Sequence, residues 1–400
     1  MTGIEFKGLK KTKTYIVTRE VRSEVGNPLD PELVRKDAVR LRDLPVFGAV
    51  NVNVISDGEG VILEFDLHEL PWIIPHPSIN YTEENGFSFG GGVKSMNLFG
   101  RAIFLSAKAL LGGVNTFTVS LHDPWIAGNR ISAGTDFGHT MRQNELLEFE
   151  ETKDLYQICG GMWIGETGRL SANGGYIRMK SDREKITLDP FNKDLMYFGK
   201  VVFGYDSRDS RNAPRRGWEN DWVNLSYFGG DAGFWTIQFD INRYQPTWKN
   251  QSIAIGPLVS FQTGIVGEDI PPYYQYFMGG SNSIRGYKLE ELGKELYGKN
   301  QLLVNLEYRW NFFPMRDYKI INWKVSGGLQ LAAFADAGLA WSRDQDFSLD
   351  RTRFGFGVGL RAMLPVVETL RFDMGISQYG DVVFNFGVRS IFYGRRQKIR

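Results

Sequence analysis

The sequence predicts a mainly β protein: a 16-stranded antiparallel transmembrane β-barrel preceded by one small α+β domain. Three observations carry that expectation. From about residue 77 onward, segments of about ten residues alternate bulky apolar side chains with glycine or charge. About sixteen such segments can be counted, an even number too large for an open sheet with water-exposed edges. The first seventy residues instead read strand, helix, helix, strand, strand.

Composition agrees. The 400 residues include 46 glycines and 14% aromatics, and the formal net charge is only +1, so nucleic acid is not an expected partner. No run of eighteen apolar residues occurs, which excludes a transmembrane helix but not spanning strands. Met1 runs directly into the strand-like Gly3-Ile4-Glu5-Phe6, so a mature chain trimmed of its export signal is expected. The single cysteine, Cys159, rules out an internal disulfide, and His68, His76, His122 and His139 lack ligand spacing. No metal, no cofactor and no catalytic set is expected: the sequence has no nucleophile elbow, zinc triad or phosphate loop.

Residues 1–71 form the first predicted domain. Residues 3–8 read as a strand. Thr14 opens a helix with Ile16, Val17, Val21 and Val25 on one side, stopped by Gly26-Asn27-Pro28. Asp30-Pro31 starts a second helix that ends near Asp43, with aspartate at the cap and proline at the first helical position. Strands near 49–55 and 61–67 flank an Asp57-Gly58-Glu59-Gly60 turn. This order, with "RLRDLPVFGAVNVNV" leading into the second strand, resembles a POTRA domain.

Residues 72–400 form the predicted barrel. Its segments lie near 77–83, 86–95, 101–110, 113–121, 130–138, 155–164, 168–179, 197–206, 221–229, 233–241, 252–263, 301–311, 324–337, 353–362, 368–377 and 382–392. The parity is clearest near the C-terminus, where Leu370, Phe372, Met374 and Ile376 alternate with Arg371, Asp373, Gly375 and Ser377. Phe372 is therefore expected toward lipid, and Arg371 toward a tolerant, watery lumen.

A long connection, about 264–300, interrupts the alternation and is expected to fold into the lumen. It contains Gly279-Gly280-Ser281-Asn282-Ser283-Ile284-Arg285-Gly286-Tyr287. This string resembles the loop signature of the BamA/TamA-type barrel-assembly superfamily, with isoleucine where the family has valine. Phe334-Ala335-Asp336-Ala337-Gly338, Glu307 in "VNLEYRW", Tyr205-Asp206-Ser207-Arg208-Asp209 with Pro214 and Gly217, "GFSFGGGVKSMNLFGRA" and "LHDPWIAGN" are similar to further motifs of that family. The likeness extends over nearly the whole chain. Residues beyond Phe392 depart from it, since the family usually stops on an aromatic.

Parity alone places Glu307 and Asp336 on the polar face, and a lumen loop needs an anchor. The planar fork of Arg285 suits bidentate binding of a carboxylate. Arg285, Gly286, Tyr287, Glu307 and Asp336 are therefore the expected lumen latch. Because a lumen holds water, losing that pair is expected to cost about 1–2 kcal/mol.

The resemblance implies a protein of the bacterial outer membrane with its N-terminal domain in the periplasm, an assembly factor rather than an enzyme. It would insert and fold β-barrel proteins through a lateral seam. The seam would lie between a short, polar first strand with Ile79 and Tyr81 and a last strand with Asn385 and Gly387. The edge strand of the first domain, with Val50, Asn51, Val52 and Asn53, would bind client chains by β-augmentation. The implied partners are unfolded outer-membrane β-barrel clients, the lipid bilayer and periplasmic accessory subunits. The alternatives are a secretion pore for one partner protein, or the membrane-anchor part of a larger POTRA-barrel protein. A passive porin would need neither the first domain nor an anchored loop.

Overall fold

The structure is a computed structural model that describes residues 1–82, 85–126, 130–210, 213–320, 323–343, 346–363, 369–388 and 391–394. The N-terminal unit contains β1 (Gly3–Lys7), α1 (Thr14–Thr18), α2 (Pro31–Asp43), β2 (Phe47–Asp57) and β3 (Gly60–Glu69). Its sheet has the order β1-β3-β2, with β1 parallel and β2 antiparallel to the central strand. Asp30 caps α2 by accepting from the N–H groups of Glu32 and Leu33. Ile16, Val17, Leu41, Phe47, Leu63 and Phe65 fill the core between helices and sheet.

The first helix is shorter than its apolar spacing suggests. It ends at Thr18, and Val25 is exposed. The Asp37 carboxylate explains the break: it accepts from the N–H groups of Arg22 and Ser23 and from the Ser23 hydroxyl, all within 3.0 Å. Those amides bond a side chain on α2 instead of continuing a helix.

Sixteen strands then form one antiparallel sheet. They are β4 (Ile74–Thr82), β5 (Gly86–Leu98), β6 (Ile103–Gly112), β7 (Val114–Asp123), β8 (Ile131–Asn144), β9 (Phe149–Ile164), β10 (Gly168–Ser181), β11 (Lys193–Asp206), β12 (Gly217–Gly230), β13 (Phe234–Pro246), β14 (Gln251–Gln262), β17 (Asn300–Ile320), β18 (Trp323–Trp341), β19 (Arg353–Met363), β20 (Leu370–Ser377) and β21 (Val382–Val388). Between β14 and β17, the long loop carries a two-residue pair, β15 (Tyr276–Phe277) and β16 (Tyr297–Gly298), and the helix α3 (Leu289–Glu295).

The sheet is curled, and the loop shows by how much. Gly286 lies against the Ile376 backbone on β20, whereas Gly293 lies against Leu146, just before β9. Nine strand intervals separate β20 from β9 in the sheet order, about 43 Å if the sheet were flat. The chain from 286 to 293, mostly in α3, advances only roughly 17 Å. One loop can touch both strands only if the sheet wraps around it. β4 and β21 are the two ends of the strand order, and no register joins them among the described residues.

Apolar side chains stud the outer face: Phe354, Phe356, Phe372, Phe384 and Phe386 are all exposed. The β17–β18 hairpin is longer than the alternation suggested, because register shifts at Trp310, Phe313 and Arg316 break the pattern while pairing continues to Ile320 and Trp323. The last strand is shorter than expected. It ends at Val388, residues 389–390 and 395–400 lie outside the described residues, and Ile391–Gly394 (α4) is a helical turn. Ile391 and Phe392 are buried against Tyr244 and Ala254, and burial of that pair on the inner wall replaces continued strand pairing.

The N-terminal unit is joined to the barrel at the β5–β6 turn. Asn97 donates to the Thr12 hydroxyl at 2.8 Å and Lys13 N–H to the Gly100 carbonyl at 2.9 Å, while Ala102 extends the apolar core of the small domain.

Candidate functional site

The loop between β14 and β17 brings Arg285 to the inner wall formed by β17, β18 and β20. Asp336 on β18 receives a fork of two bonds, from Nε at 2.7 Å and Nη2 at 2.9 Å, and a third from the Arg285 backbone N–H at 3.0 Å. Nη1 donates to Glu307 on β17 at 2.7 Å and lies 3.4 Å from Asp373 on β20. The guanidinium carbon stands 3.6 Å above the Phe334 ring, a cation–π contact. Asn305, opposite Asp336 in the register, donates to Asp336 at 2.7 Å and to the Ser283 carbonyl at 3.0 Å.

The side chains of Arg285 and Asp336 have no solvent exposure, and that of Glu307 has 1%. The expectation of a watered pair is therefore wrong here: loop and wall exclude solvent from every charged atom of the contact. Burial works against the Arg285 charge, yet Asp336 and Glu307 beside it outweigh that and hold its pKa above the ordinary value.

Glycine makes the fit possible. A Cβ at Gly355 would stand 1.9 Å from the Arg285 carbonyl oxygen, and one at Gly375 would stand 2.4 Å from the Gly286 nitrogen. Gly286 itself has a φ of +102°, a region that side-chain-bearing residues rarely adopt. Tyr287 turns the chain away. Its carbonyl accepts from Gly280 N–H and its hydroxyl from Gln378 N–H.

The network is larger than parity reasoning proposed. Arg309 and Arg361 both bond Glu307, and Arg361 also bonds Asp373. Arg371 donates to the Ser281 carbonyl at 2.6 Å and to the Asn282 side chain at 3.1 Å. Its side chain is 1% exposed. Arg371 does face inward, but that surface is a packed contact with the loop rather than a tolerant lumen. The missed signal was available: Arg309, Arg361 and Asp373 share the inward parity of Glu307 and Asp336 on neighbouring strands.

The remaining expected sites fall elsewhere. Asn385 and Gly387 lie on β21, Asn385 buried and Gly387 leaving room for the Arg371 guanidinium 2.7 Å from its ideal Cβ. Ile79 and Tyr81 lie on β4, opposite Phe89 and Phe87; their side chains are outside the described part. The first strand pairs with β5 over nine residues, more than a short polar segment suggested. Val50, Asn51, Val52 and Asn53 lie on the outer strand β2, which also rests against β18. Arg42 donates to the Val50 carbonyl at 3.0 Å and Asn53 to Glu64 at 3.0 Å. In the β11–β12 turn, Arg208 pairs with Asp206 and Glu219, and Asp209 accepts from the N–H groups of Arg215 and Arg216.

Comparison with known proteins agrees with this architecture. An Omp85 superfamily domain matches residues 97–392, and a POTRA domain, described as a surface antigen variable number repeat, matches residues 2–70. The chain is 24% identical over 394 residues to the outer membrane protein assembly factor BamA of Nitratidesulfovibrio vulgaris (strain Hildenborough). That alignment covers 92% of this chain and 47% of the relative, so the chain spans about half the length of that protein. In fold it is similar to BamA from Haemophilus ducreyi lacking POTRA domains 1–3, with a TM-score of 0.62, 16% identity, and coverage of 96% of this chain and 83% of that one. It is also similar to CdiB from Acinetobacter baumannii, with a TM-score of 0.55, 14% identity, and coverage of 96% and 72%. With a POTRA module, a 16-stranded sheet and a match over most of its length, the chain belongs to the Omp85 superfamily and is an outer-membrane β-barrel protein whose N-terminal domain lies in the periplasm.

Proposed function

We propose that this protein inserts and folds other β-barrel proteins in the outer membrane. In this reading the sheet parts between β4 and β21, and each free edge templates an incoming client strand by main-chain pairing. Clients are unfolded outer-membrane barrels, delivered from the periplasm with accessory subunits. The POTRA strand β2 receives them first, where Val50, Asn51, Val52 and Asn53 offer an edge once Arg42 releases the Val50 carbonyl. Arg285, Gly286 and Tyr287, with Glu307 and Asp336, form the latch that holds the loop while the seam works.

The observation that carries the reading is the dry, many-partner seat of Arg285. A passive pore has no use for a lumen loop fixed by three carboxylates and a cation–π contact. The likeness to relatives named as assembly factors supports the same reading. The fold is equally compatible with secretion of a single partner, and experiment separates the two. Depletion in the host should lower the outer-membrane levels of many unrelated barrels, and Arg285→Ala should fail to restore them. Loss of one secreted protein with normal barrel levels would establish the secretion pore instead. Proline at Asn51 or Asn53 should abolish client crosslinking to a folded POTRA unit; unchanged crosslinking removes β2 as the receiving edge.

A further inference from the structure

On the far wall from the latch, three adjacent strands bring together residues that lie 12 and 25 positions apart. His122 on β7 stands opposite Gly134 on β8, which stands opposite Cys159 on β9. All three share the inward parity of their strands, since Leu121 and Ile158 beside them face outward and are exposed. Gly134 has no side chain, and the imidazole fills that gap. An ideal Cβ there would lie 2.1 Å from His122 Nδ1. Lying across Gly134, the ring reaches the next strand, and Nδ1 comes within 3.6 Å of Cys159 Sγ.

The other ring nitrogen is held from the opposite side. His122 Nε2 is 2.8 Å from Asp136 Oδ1, and Asp136 Oδ2 accepts from Gln157 at 2.8 Å. An ionised carboxylate only accepts, so in the neutral ring, the form that binds a metal, the proton belongs on Nε2. Nδ1 then presents its lone pair to the sulfur. A carboxylate that fixes the tautomer of a histidine is the usual second support of a metal ligand. The distance fits as well. Zinc bonds of about 2.3 Å to sulfur and 2.0–2.1 Å to nitrogen, at a tetrahedral angle, separate the two donors by about 3.5 Å.

We propose that Cys159, His122 and Asp136 form a binding site for one thiophilic divalent cation of the zinc class. Cys159 Sγ and His122 Nδ1 bind the ion directly, Asp136 positions the imidazole through Nε2, and water from the lumen completes the coordination. The thiol proton leaves to water when the sulfur binds, so the bond forms to a thiolate. Gly134 is what makes the pair possible, because any larger residue would push the ring away from the sulfur.

The test uses the full chain, folded in detergent and titrated with cobalt(II), whose thiolate bond gives a near-ultraviolet charge-transfer band and whose visible bands report tetrahedral coordination. One equivalent should develop both, and zinc should abolish both. Cys159→Ser, nearly isosteric, should remove the charge-transfer band. His122→Gln should remove the tetrahedral visible bands. Gly134→Ala keeps every donor yet should weaken binding at least about tenfold, the range expected when ligand positioning is lost. β-Type circular dichroism controls for folding of each variant. A missing charge-transfer band in the parent chain overturns the site. So does unchanged cobalt binding in folded Cys159→Ser, and either result leaves the three groups as a carboxylate–imidazole–thiol hydrogen-bonded chain.

Discussion

Strands β7 and β8 alternate in sequence much as β13 and β14 do, yet their inward faces differ sharply. On β13, Gln238, Asp240 and Asn242 are at most 2% exposed. On β7 and β8, the inward side chains of His122 and Arg142 are 36% and 40% exposed. The strands did not decide this; what lies on them did. Tyr273 and Tyr274 of the loop pack over β11 to β13, Arg285 seals β17 to β20, and Phe392 covers Tyr244. Polar groups on the covered wall must bond each other, as Asn242 does with Asp240 at 2.8 Å. Groups on the open wall can bond water. Identical chemistry is therefore costly to disturb on one wall and cheap on the other.

The largest expected effect is on the covered wall. Arg285→Ala leaves Asp336, Glu307 and Asp373 without their shared cation, a loss of about 3–5 kcal/mol for a fully buried network. Thermal unfolding in detergent should register that loss, and limited proteolysis should cut within 264–300. Arg285→Lys should recover only part, since an ammonium cannot make the fork to both Asp336 oxygens. If Arg285→Ala changes neither stability nor protease access, dryness does not distinguish the two walls.

Next comes a pair of neighbours on β20. Phe372 faces lipid, and Phe372→Arg should cost about 2–4 kcal/mol near the bilayer midplane. Arg371→Phe, expected from parity to be mild, should instead cost roughly 1–3 kcal/mol, because it strips a buried partner from the Ser281 carbonyl and Asn282. Refolding yields of the two variants check this, and full tolerance of Arg371→Phe would show that the loop does not need that contact.

The open wall supplies the contrast. Arg142 and Glu151, inward on β8 and β9, are 2.9 Å apart, and the arginine is 40% exposed. Arg142→Gln should therefore lower stability by less than about 1 kcal/mol. A loss as large as that of Arg285→Ala would mean that the far wall is not wet.

The smallest effect is at the joint with the POTRA domain. Glu69 accepts from the N–H groups of Lys10, Lys11 and Thr12. Burial raises its pKa, but the bonds from Thr12, Lys11 and Lys10 outweigh burial, and the net value is lowered. Its stabilisation is thus complete above the unfolded pKa, near 4.3, and is lost as pH falls through the lower folded value. Hydrogen exchange at residues 10–12 should speed up below about pH 4 while the barrel amides stay protected. Equal loss of protection in both would place the acid-sensitive group elsewhere.

Glu307 and Asp336 were legible because alternation fixes which face a strand residue occupies, and Arg285 because the long loop interrupts that alternation. Asp373, Arg361 and Arg371 carried the same parity, but which neighbours a loop tip meets depends on how the sheet curls. His122, Asp136 and Cys159 show the same limit: no spacing along the chain marks them, since register across three strands sets their distance.

The sequence by itself determined the order of the elements in the first domain, the number of spanning segments and, away from the register shifts of β17 and β18, the face that each strand side chain occupies. These follow from local rules: a period of two along a strand, capping at Asp30, and chain reversal at turn residues. Only the tertiary structure decided where α1 stops, where the last strand gives way to α4, and which inward charges are dry. Those outcomes depend on groups distant in sequence competing for the same backbone amides, the same wall or the same guanidinium. Burial, unlike parity, is a property of what covers a residue and not of the strand that carries it.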